Sequence, residues 1–192
     1  MNAIAEAAVE THEWLCAHNV KGFFIGGIAV QFWGEPRATL DVDVCVIVSN
    51  EEERCLALDL LKDFHPRISD AAVFAEQSRV VLLVASNGCN VDVSYSGAWL
   101  DEEAFERAVS VEILPGRRIP ICSAEDLVVY KAVAGRAKDV MDIRGIVRSQ
   151  SRKMDATRVR RLLTEYSNLT DDDEPLKVFE QLWSESESSA KD

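Results

Sequence analysis

FFIGGIAVQFWGEPRATLDVDVCVIV, from Phe23 to Val48, is the stretch from which both the fold and the chemistry of this chain can be predicted. It opens with a short apolar segment typical of a strand, breaks at Gly26-Gly27, and continues as a helix-like segment, Ile28–Trp33. Glycine has no Cβ to block a ligand, and the free N–H groups at a helix start favour anions. We therefore predict a strand-to-helix turn that binds phosphate through Gly26 and Gly27.

The second half of the stretch predicts a strand that carries two acidic residues, Asp41 and Asp43. Side chains alternate across a strand, so both carboxylates point to one face, with alpha carbons roughly 6–7 Å apart. Val42, Val44 and Val46 then form the packed face. Hard divalent cations such as Mg²⁺ prefer carboxylate oxygens and often complete their shell with substrate phosphates. The glycine turn and the two carboxylates together indicate metal-dependent chemistry on a nucleoside triphosphate.

A third acidic residue, Asp92, stands in the second strand of a predicted hairpin. RVVLLVAS (79–86) and Cys89–Tyr95 are typical strands, and Asn87-Gly88 between them predicts a type I′ turn. An acid flanked by valines needs a reason. Either strand pairing brings Asp92 beside Asp41 and Asp43 as a third carboxylate, or Asp92 faces solvent on a half-exposed sheet.

The order Gly26-Gly27 followed by Asp41-x-Asp43 resembles the signature of the DNA polymerase β-type nucleotidyltransferase superfamily. GGIAV…PRATLDVDV with EDLVVYKAVAGRAKDVMDI is similar, more narrowly, to small bacterial nucleotidyltransferases related to abortive-infection type II toxins and antibiotic-modifying enzymes. The resemblance implies that Asp41, Asp43 and Asp92 are catalytic and hold Mg²⁺, as two ions. It also implies a nucleoside triphosphate substrate.

The same resemblance assigns nucleotide-binding roles to Arg37, Thr39, Lys131, Asp139 and Asp142. Arg37 either reaches phosphate as a forked donor or braces the carboxylates. Lys131 matches the lysine of the third motif, a triphosphate contact, against the alternative of an exposed helical lysine. Asp139 and Asp142 match the fourth motif and either orient neighbouring cations or contact the nucleotide.

Two other enzyme classes use a DxD motif, and a relative without activity is a further alternative. In phosphatases the first Asp stands at the end of a strand, and glycosyltransferase DxD motifs also lie near a strand end. Here the apolar run CVIV follows the acids, which disfavours both classes, and neither explains Gly26-Gly27. A fold relative that binds nucleotide or a partner protein without turnover stays open.

The length of 192 residues suits one α/β domain with a helical appendage. We expect a nucleotidyltransferase core, a mixed β-sheet with flanking helices, over residues 1–122. A helical C-terminal region follows over 123–183, and an acidic, mobile tail over 184–192. The N-terminal sequence lacks the basic start of a secretory signal, and no apolar run approaches the ~20 residues that span a bilayer. The five scattered cysteines suit reduced thiols, so we expect a cytoplasmic protein without membrane attachment.

The charge pattern leaves the acceptor of the transferred group open. A net charge of −12 would attract a cationic hydroxylated small molecule such as an aminoglycoside antibiotic. The segment from Arg136 to Arg161, however, contains nine basic and only three acidic residues, and this excess of positive charge suits a tRNA or protein acceptor. Arg144, Arg148 and Arg152 form one stripe there that either binds RNA or pairs with the acidic tail. A homodimer and an antitoxin protein are further open partners.

Overall fold

The computed structural model describes residues 2–97, 99–150 and 153–189, and a mixed seven-stranded sheet is its main element. The strands, β1 to β7 in chain order, are Lys21–Phe24, Asp41–Ile47, His65–Pro66, Val80–Val84, Asn90–Tyr95, Val109–Leu114 and Arg117–Ile121. Their order in the sheet is β3-β4-β5-β2-β1-β7-β6. The predicted fold class, a mixed α/β sheet with flanking helices and a helical C-terminal region, is confirmed.

The centre of the sheet is formed by β2 and its two neighbours. β2 pairs with β1 in antiparallel and with β5 in parallel orientation. The valines at 42, 44, 46, 91 and 93 alternate along β2 and β5 and are fully buried on one face. Burial of an apolar side chain contributes about 1.5–3 kcal/mol, so these valines fix the register of both strands. The residues between them, the acids included, turn to the opposite face.

Nine helices lie within the described residues. α1 to α9 are Asn2–Ala17, Gly26–Trp33, Glu53–Asp63, Ala71–Ser78, Asp101–Glu106, Ala124–Ala134, Ala137–Gln150, Ala156–Thr170 and Glu174–Ser189. The hydroxyl of Ser123 caps α6 by accepting from the Asp126 amide at 3.1 Å, and Gly135 ends that helix at φ +62°. A serine N-cap and a left-handed glycine after the last turn are common helix ends. None of these helices is long and apolar enough to cross a bilayer.

The chain divides into two compact units. The first holds the residues up to Ile28 together with Ala38–Cys122, and it contains the whole sheet. The second holds Ala29–Arg37 and the chain from Ser123 onward. The segment 29–37 lies inside the range 1–122 predicted for the core, but it groups with the C-terminal helices. α9 runs through 184–189 of the expected tail, and residues 190–192 lie outside the described residues.

The β4–β5 hairpin forms as predicted, but its turn is not type I′. A type I′ turn needs positive φ at both central residues, and here Gly88 alone has one, at +85°. The Gly88 amide donates to the Ala85 carbonyl at 2.9 Å, and the Ala85 amide donates to the Cys89 carbonyl at 2.8 Å. The loop is therefore a longer turn closed by one left-handed glycine, a common hairpin alternative.

Candidate active site

Three carboxylates share one polar face of the central sheet. Asp41 and Asp43 lie on β2, and the parallel pairing of β2 with β5 sets Asp92 directly opposite Asp43. All three are partly exposed, whereas the valines that alternate with them are buried. The structure thus brings together the acids that the sequence analysis had grouped. Their roles as catalytic residues and metal ligands stay predictions.

The glycine turn lies against this acidic pair. The Ile25 amide donates to the Asp43 carbonyl at 3.0 Å, and Gly26 follows at φ +61° as the first residue of α2. A Cβ at Gly26 would lie 2.6 Å from Asp43 Cγ, and one at Gly27 would lie 2.6 Å from Thr39 Cβ. Non-bonded carbons need well over 3 Å, so only glycine fits at either position. The first turn of α2 therefore packs directly on the side chains of Asp43 and Thr39.

Thr39 connects the glycine turn to Asp41. Its hydroxyl donates to the Asp41 carbonyl at 3.2 Å and also lies 3.2 Å from Asp41 Oδ1. A hydroxyl has one proton to share between these oxygens, so neither bond is at full strength. The contact restrains the Asp41 side chain next to Gly27 and leaves its other oxygen, Oδ2, outside this bond. Thr39 thus positions a carboxylate, whatever it contributes to a nucleotide.

Asp92 has a cationic neighbour that the sequence analysis missed. Arg67 Nη2 lies 2.8 Å from Asp92 Oδ1, and both side chains are little more than a quarter exposed. Burial raises the pKa of Asp92, as does the charge of Asp41, while Arg67 opposes the rise. No motif marks Arg67 in the sequence, because only the pairing of the intervening strands brings it to the acidic face.

The carboxylates of this face suit a divalent cation that takes most of its ligands from water and substrate. Within the described residues, no three His, Cys, Asp or Glu side chains converge closely enough to hold a metal by themselves. Mg²⁺ needs no such cage, since it keeps several waters and is commonly bound by one or two carboxylates plus substrate phosphates. Asp41 and Asp43, adjacent on one strand face, provide that number. The residues present therefore fit the predicted ion.

A second group of predicted site residues forms a charged network within the second unit. Lys131 Nζ lies 2.8 Å from an oxygen of Asp139 and 2.8 Å from one of Asp142. Arg37 makes a two-pronged pair with Asp142, at 2.7 and 2.9 Å, and Arg136 pairs with Asp139 at 2.5 Å. The two carboxylates and the lysine are nearly inaccessible, with at most 7% of each side chain exposed. Two acids thus alternate with three cations.

This network accounts for the burial of its carboxylates. Burial by itself raises the pKa of Asp139 and of Asp142, but hydrogen bonds and charges from the neighbouring cations outweigh it and lower both. Lys131 is therefore not the exposed helical lysine of the alternative interpretation. Its ammonium already contacts two carboxylates, and its predicted triphosphate contact stays a prediction. Arg37 braces Asp142.

The predicted basic stripe is largely paired with acids. Arg144 contacts Glu185 at 2.7 Å, and Arg148 lies 3.8 Å from Glu35. Arg152 lies outside the described residues. The pair with Glu185 matches the interpretation in which the stripe is neutralised by the acidic C-terminal sequence, now part of α9.

Comparison with known proteins places this geometry in a family. The model of the family described as "Nucleotidyl transferase of unknown function (DUF2204)" matches residues 5–184, nearly the whole chain. The chain belongs to this nucleotidyltransferase family. The resemblance seen in the glycine and aspartate motifs is thereby confirmed. No curated protein matches the sequence.

Solved structures show the nucleotidyltransferase fold as well. An antigenic nucleotidyltransferase-like protein from Paracoccidioides brasiliensis is similar with a TM-score of 0.57 and 17% identity, over 91% of this chain and 92% of that one. The antibiotic-resistance factor ANT(2'')-Ia is similar with a TM-score of 0.52 and 14% identity, over 86% of this chain and 92% of that one. At these identities the likeness extends to the fold alone.

Proposed function

We propose that this chain is a Mg²⁺-dependent nucleotidyltransferase that transfers a nucleoside monophosphate from a nucleoside triphosphate to a hydroxyl acceptor. The observation that supports it best is the single acidic face of β2 and β5, which lies directly beneath the glycine turn. Carboxylates for a cation and free helix N–H groups for phosphates are the two components that such a reaction needs. Membership of the nucleotidyltransferase family agrees with it.

In this proposal each residue of the site has a distinct task. Asp41, Asp43 and Asp92 would hold the cation, which would neutralise charge on the phosphates and on the leaving group. Gly26 and Gly27 bring the amides of the first turn of α2 against the phosphates. The acceptor oxygen attacks the α-phosphorus, and the bond to the bridging oxygen of the β-phosphate breaks, so that pyrophosphate leaves.

The proton of the acceptor hydroxyl goes to Asp92. Asp92 lies on the strand next to Asp41 and Asp43, so its carboxylate belongs to the face that would take the cation and the acceptor hydroxyl. Arg67 holds the Asp92 carboxylate at the edge of the acidic face, with Arg67 Nη2 lying 2.8 Å from Asp92 Oδ1. The O–H bond of the acceptor breaks as its oxygen forms the new phosphoester bond, and the carboxylate takes up the proton.

The acceptor that the charges favour is a cationic small molecule rather than RNA. The first unit, which contains the acidic face, has 18 acidic and 8 basic residues and so most of the net charge of −12. Such a field raises the local concentration of cations and repels a polyanion. The basic stripe that favoured RNA is paired at Arg144 and Arg148. A hydroxylated polyamine-like compound fits both facts.

The test is a transfer assay with each of the four labelled nucleoside triphosphates and Mg²⁺. Acceptors would be a panel of aminoglycosides, total RNA and a protein lysate. We expect label to appear on a cationic small molecule, and Asp43→Asn to abolish transfer while keeping the fold. Asp59→Asn is the matched control, because Asp59 is an exposed acid on α3 that pairs with Lys62. Transfer that survives Asp43→Asn would remove this carboxylate from the site.

A relative that binds nucleotide without turnover is the alternative. Melting temperature, measured with each triphosphate in the presence and absence of Mg²⁺, separates the two. Stabilisation by a nucleotide without transfer to any acceptor would favour the binding protein. A lack of stabilisation by all four would refute nucleotide recognition altogether.

A further inference from the structure

A row of four residues crosses the sheet and ends at the acidic face. The Arg67 amide donates to the Leu82 carbonyl at 3.0 Å, which anchors Arg67 beside β4. Leu82 is the register partner of Asp92 on β5, and Asp92 is the partner of Asp43 on β2. Adjacent strands lie about 4.8 Å apart, so Arg67 is two strand spacings from Asp92. An arginine side chain spans that distance, and its guanidinium reaches the carboxylate over Leu82.

The ion pair between Arg67 and Asp92 places a fixed cation where a divalent ion would also be attracted. Three carboxylates on one face repel each other, and partial burial strengthens the repulsion. Arg67 Nη2 lies 2.8 Å from Asp92 Oδ1, so the guanidinium neutralises the acid that is nearest to it in the row. The face can therefore form without a bound metal. The same contact engages one of the two oxygens that Asp92 can offer to a metal.

We propose that Arg67 is a positioning residue, the built-in counter-ion of Asp92, and that it competes with a divalent cation for this carboxylate. The inference rests on the proposed function, since it takes Asp41, Asp43 and Asp92 as the cation-binding group. Arg67 holds Asp92 in place when no cation is bound, and it weakens cation binding. Divalent ion enters fully only when the phosphates of a nucleotide add their own negative charge. Arg67 thereby couples cation binding to nucleotide binding.

The test is the affinity of the full chain for Mn²⁺ without nucleotide, measured by electron paramagnetic resonance. Arg67→Gln removes the charge and keeps a side chain that bonds to a carboxylate. We expect it to bind Mn²⁺ about tenfold more tightly than the unsubstituted chain, because a repelling charge at short range is lost. Arg67→Lys keeps the charge and should bind as the unsubstituted chain does. Arg54→Gln is the matched control, since Arg54 lies in the same unit and pairs with Glu76 at the surface.

Melting temperature in a chelator is the second readout. Arg67→Gln should melt lower than the unsubstituted chain in the chelator and regain the difference with Mn²⁺. Lower stability together with unchanged or weaker Mn²⁺ binding would show a merely structural role and overturn the inference. If Arg67→Gln fails to fold, the ¹⁵Nε resonance of Arg67 in the unsubstituted chain decides. It should shift when Mg²⁺ is added, while that of Arg54 stays, and an unchanged Arg67 resonance overturns the inference.

Asp41→Asn separates failure of this inference from failure of the proposed function. Mn²⁺ binding that is lost in Asp41→Asn but unaffected by Arg67→Gln overturns the counter-ion role alone. Binding that is equal in Asp41→Asn and the unsubstituted chain, or absent from both of them and from Arg67→Gln as well, overturns the cation site and the counter-ion role together.

Discussion

Gly26→Ala tests the close packing of the glycine turn on Asp43. Gly26 has φ +61°, and an L residue in that left-handed conformation costs roughly 1–2 kcal/mol. The new methyl group would also lie 2.6 Å from Asp43 Cγ and 2.8 Å from Asp43 Cβ. Forcing an extra methyl into a packed position costs about 1–3 kcal/mol, since neighbours must shift. We therefore expect Gly26→Ala to lower the free energy of unfolding by about 2–5 kcal/mol.

Gly88→Ala separates the two contributions. Gly88 also has a positive φ, +85°, but nothing lies within 4 Å of the position of its Cβ. It should therefore lose only the backbone contribution, about 1–2 kcal/mol. Urea unfolding followed by far-ultraviolet circular dichroism measures both variants. The double variant Gly26→Ala, Asp43→Ala removes the Cγ contact and should show a favourable coupling of at least about 0.5 kcal/mol.

Two outcomes would refute this reasoning. If Gly26→Ala is no less stable than Gly88→Ala, the methyl group meets no obstacle and the turn does not lie against Asp43. If the double variant shows no coupling, the obstacle is something other than the carboxyl group of Asp43. Either result would also withdraw the main support for the proposed function.

Three further predictions concern other residues of the two units. Lys131→Met should cost about 3–5 kcal/mol of unfolding free energy in urea, because it leaves two buried carboxylates short of a cation; Lys177→Met, at an exposed pair, should change nothing measurable. The lowered pKa values of Asp139 and Asp142 stabilise the fold above the ordinary Asp pKa of about 4, and this stability is lost as the pH falls through their folded pKa values. The deficit of Lys131→Met should therefore shrink when unfolding is measured at successively lower pH. Thr39→Val should cost about 1 kcal/mol in the same urea assay, whereas Thr39→Ser keeps the hydroxyl bonded to Asp41 and should cost less.

Each of these has an outcome that contradicts it. Equal stability of the Lys131 and Lys177 variants would show that the buried network contributes no net stability. A deficit of Lys131→Met that stays constant with pH would assign its effect to packing rather than to charge. Equal losses in the valine and serine variants would mean that the methyl group of Thr39, not its hydroxyl, is what matters beside Gly27.

The part of the site that sequence predicts best is the part built from local patterns. Alternation along β2 places Asp41 and Asp43 on one face and the valines on the other, and the structure agrees. The glycine pair marks the start of α2 because few other residues tolerate the conformation and the contacts there. Such features depend on the residues themselves and on their near neighbours, so they are visible in a single sequence.

The rest depends on pairing between distant segments. The position of Asp92 follows from the parallel register of β2 and β5, which local sequence suggests but does not determine. Arg67 reaches the acidic face only through the pairing at Leu82, and nothing near it in the sequence indicates this. The sequence around Lys131 is compatible with an exposed helical lysine, and its burial depends on α7, which carries Asp139 and Asp142 to it. At the hairpin the sequence predicts a turn at Asn87-Gly88, but the wrong type, because hairpins of different loop length accept the same residues.

The assignment of the short segment 29–37 to the second unit has a consequence for how such proteins can diversify. Gly34 packs on Ile146 and Arg37 pairs with Asp142, so this segment, which precedes β2 in the chain, makes close contacts with the C-terminal helices. A truncation after Cys122 would strip it of those neighbours. Recombination after Cys122 would join the C-terminal helices of one protein to segment 29–37 of another, whose side chains do not match them. The C-terminal helices should therefore be exchangeable between relatives only together with segment 29–37.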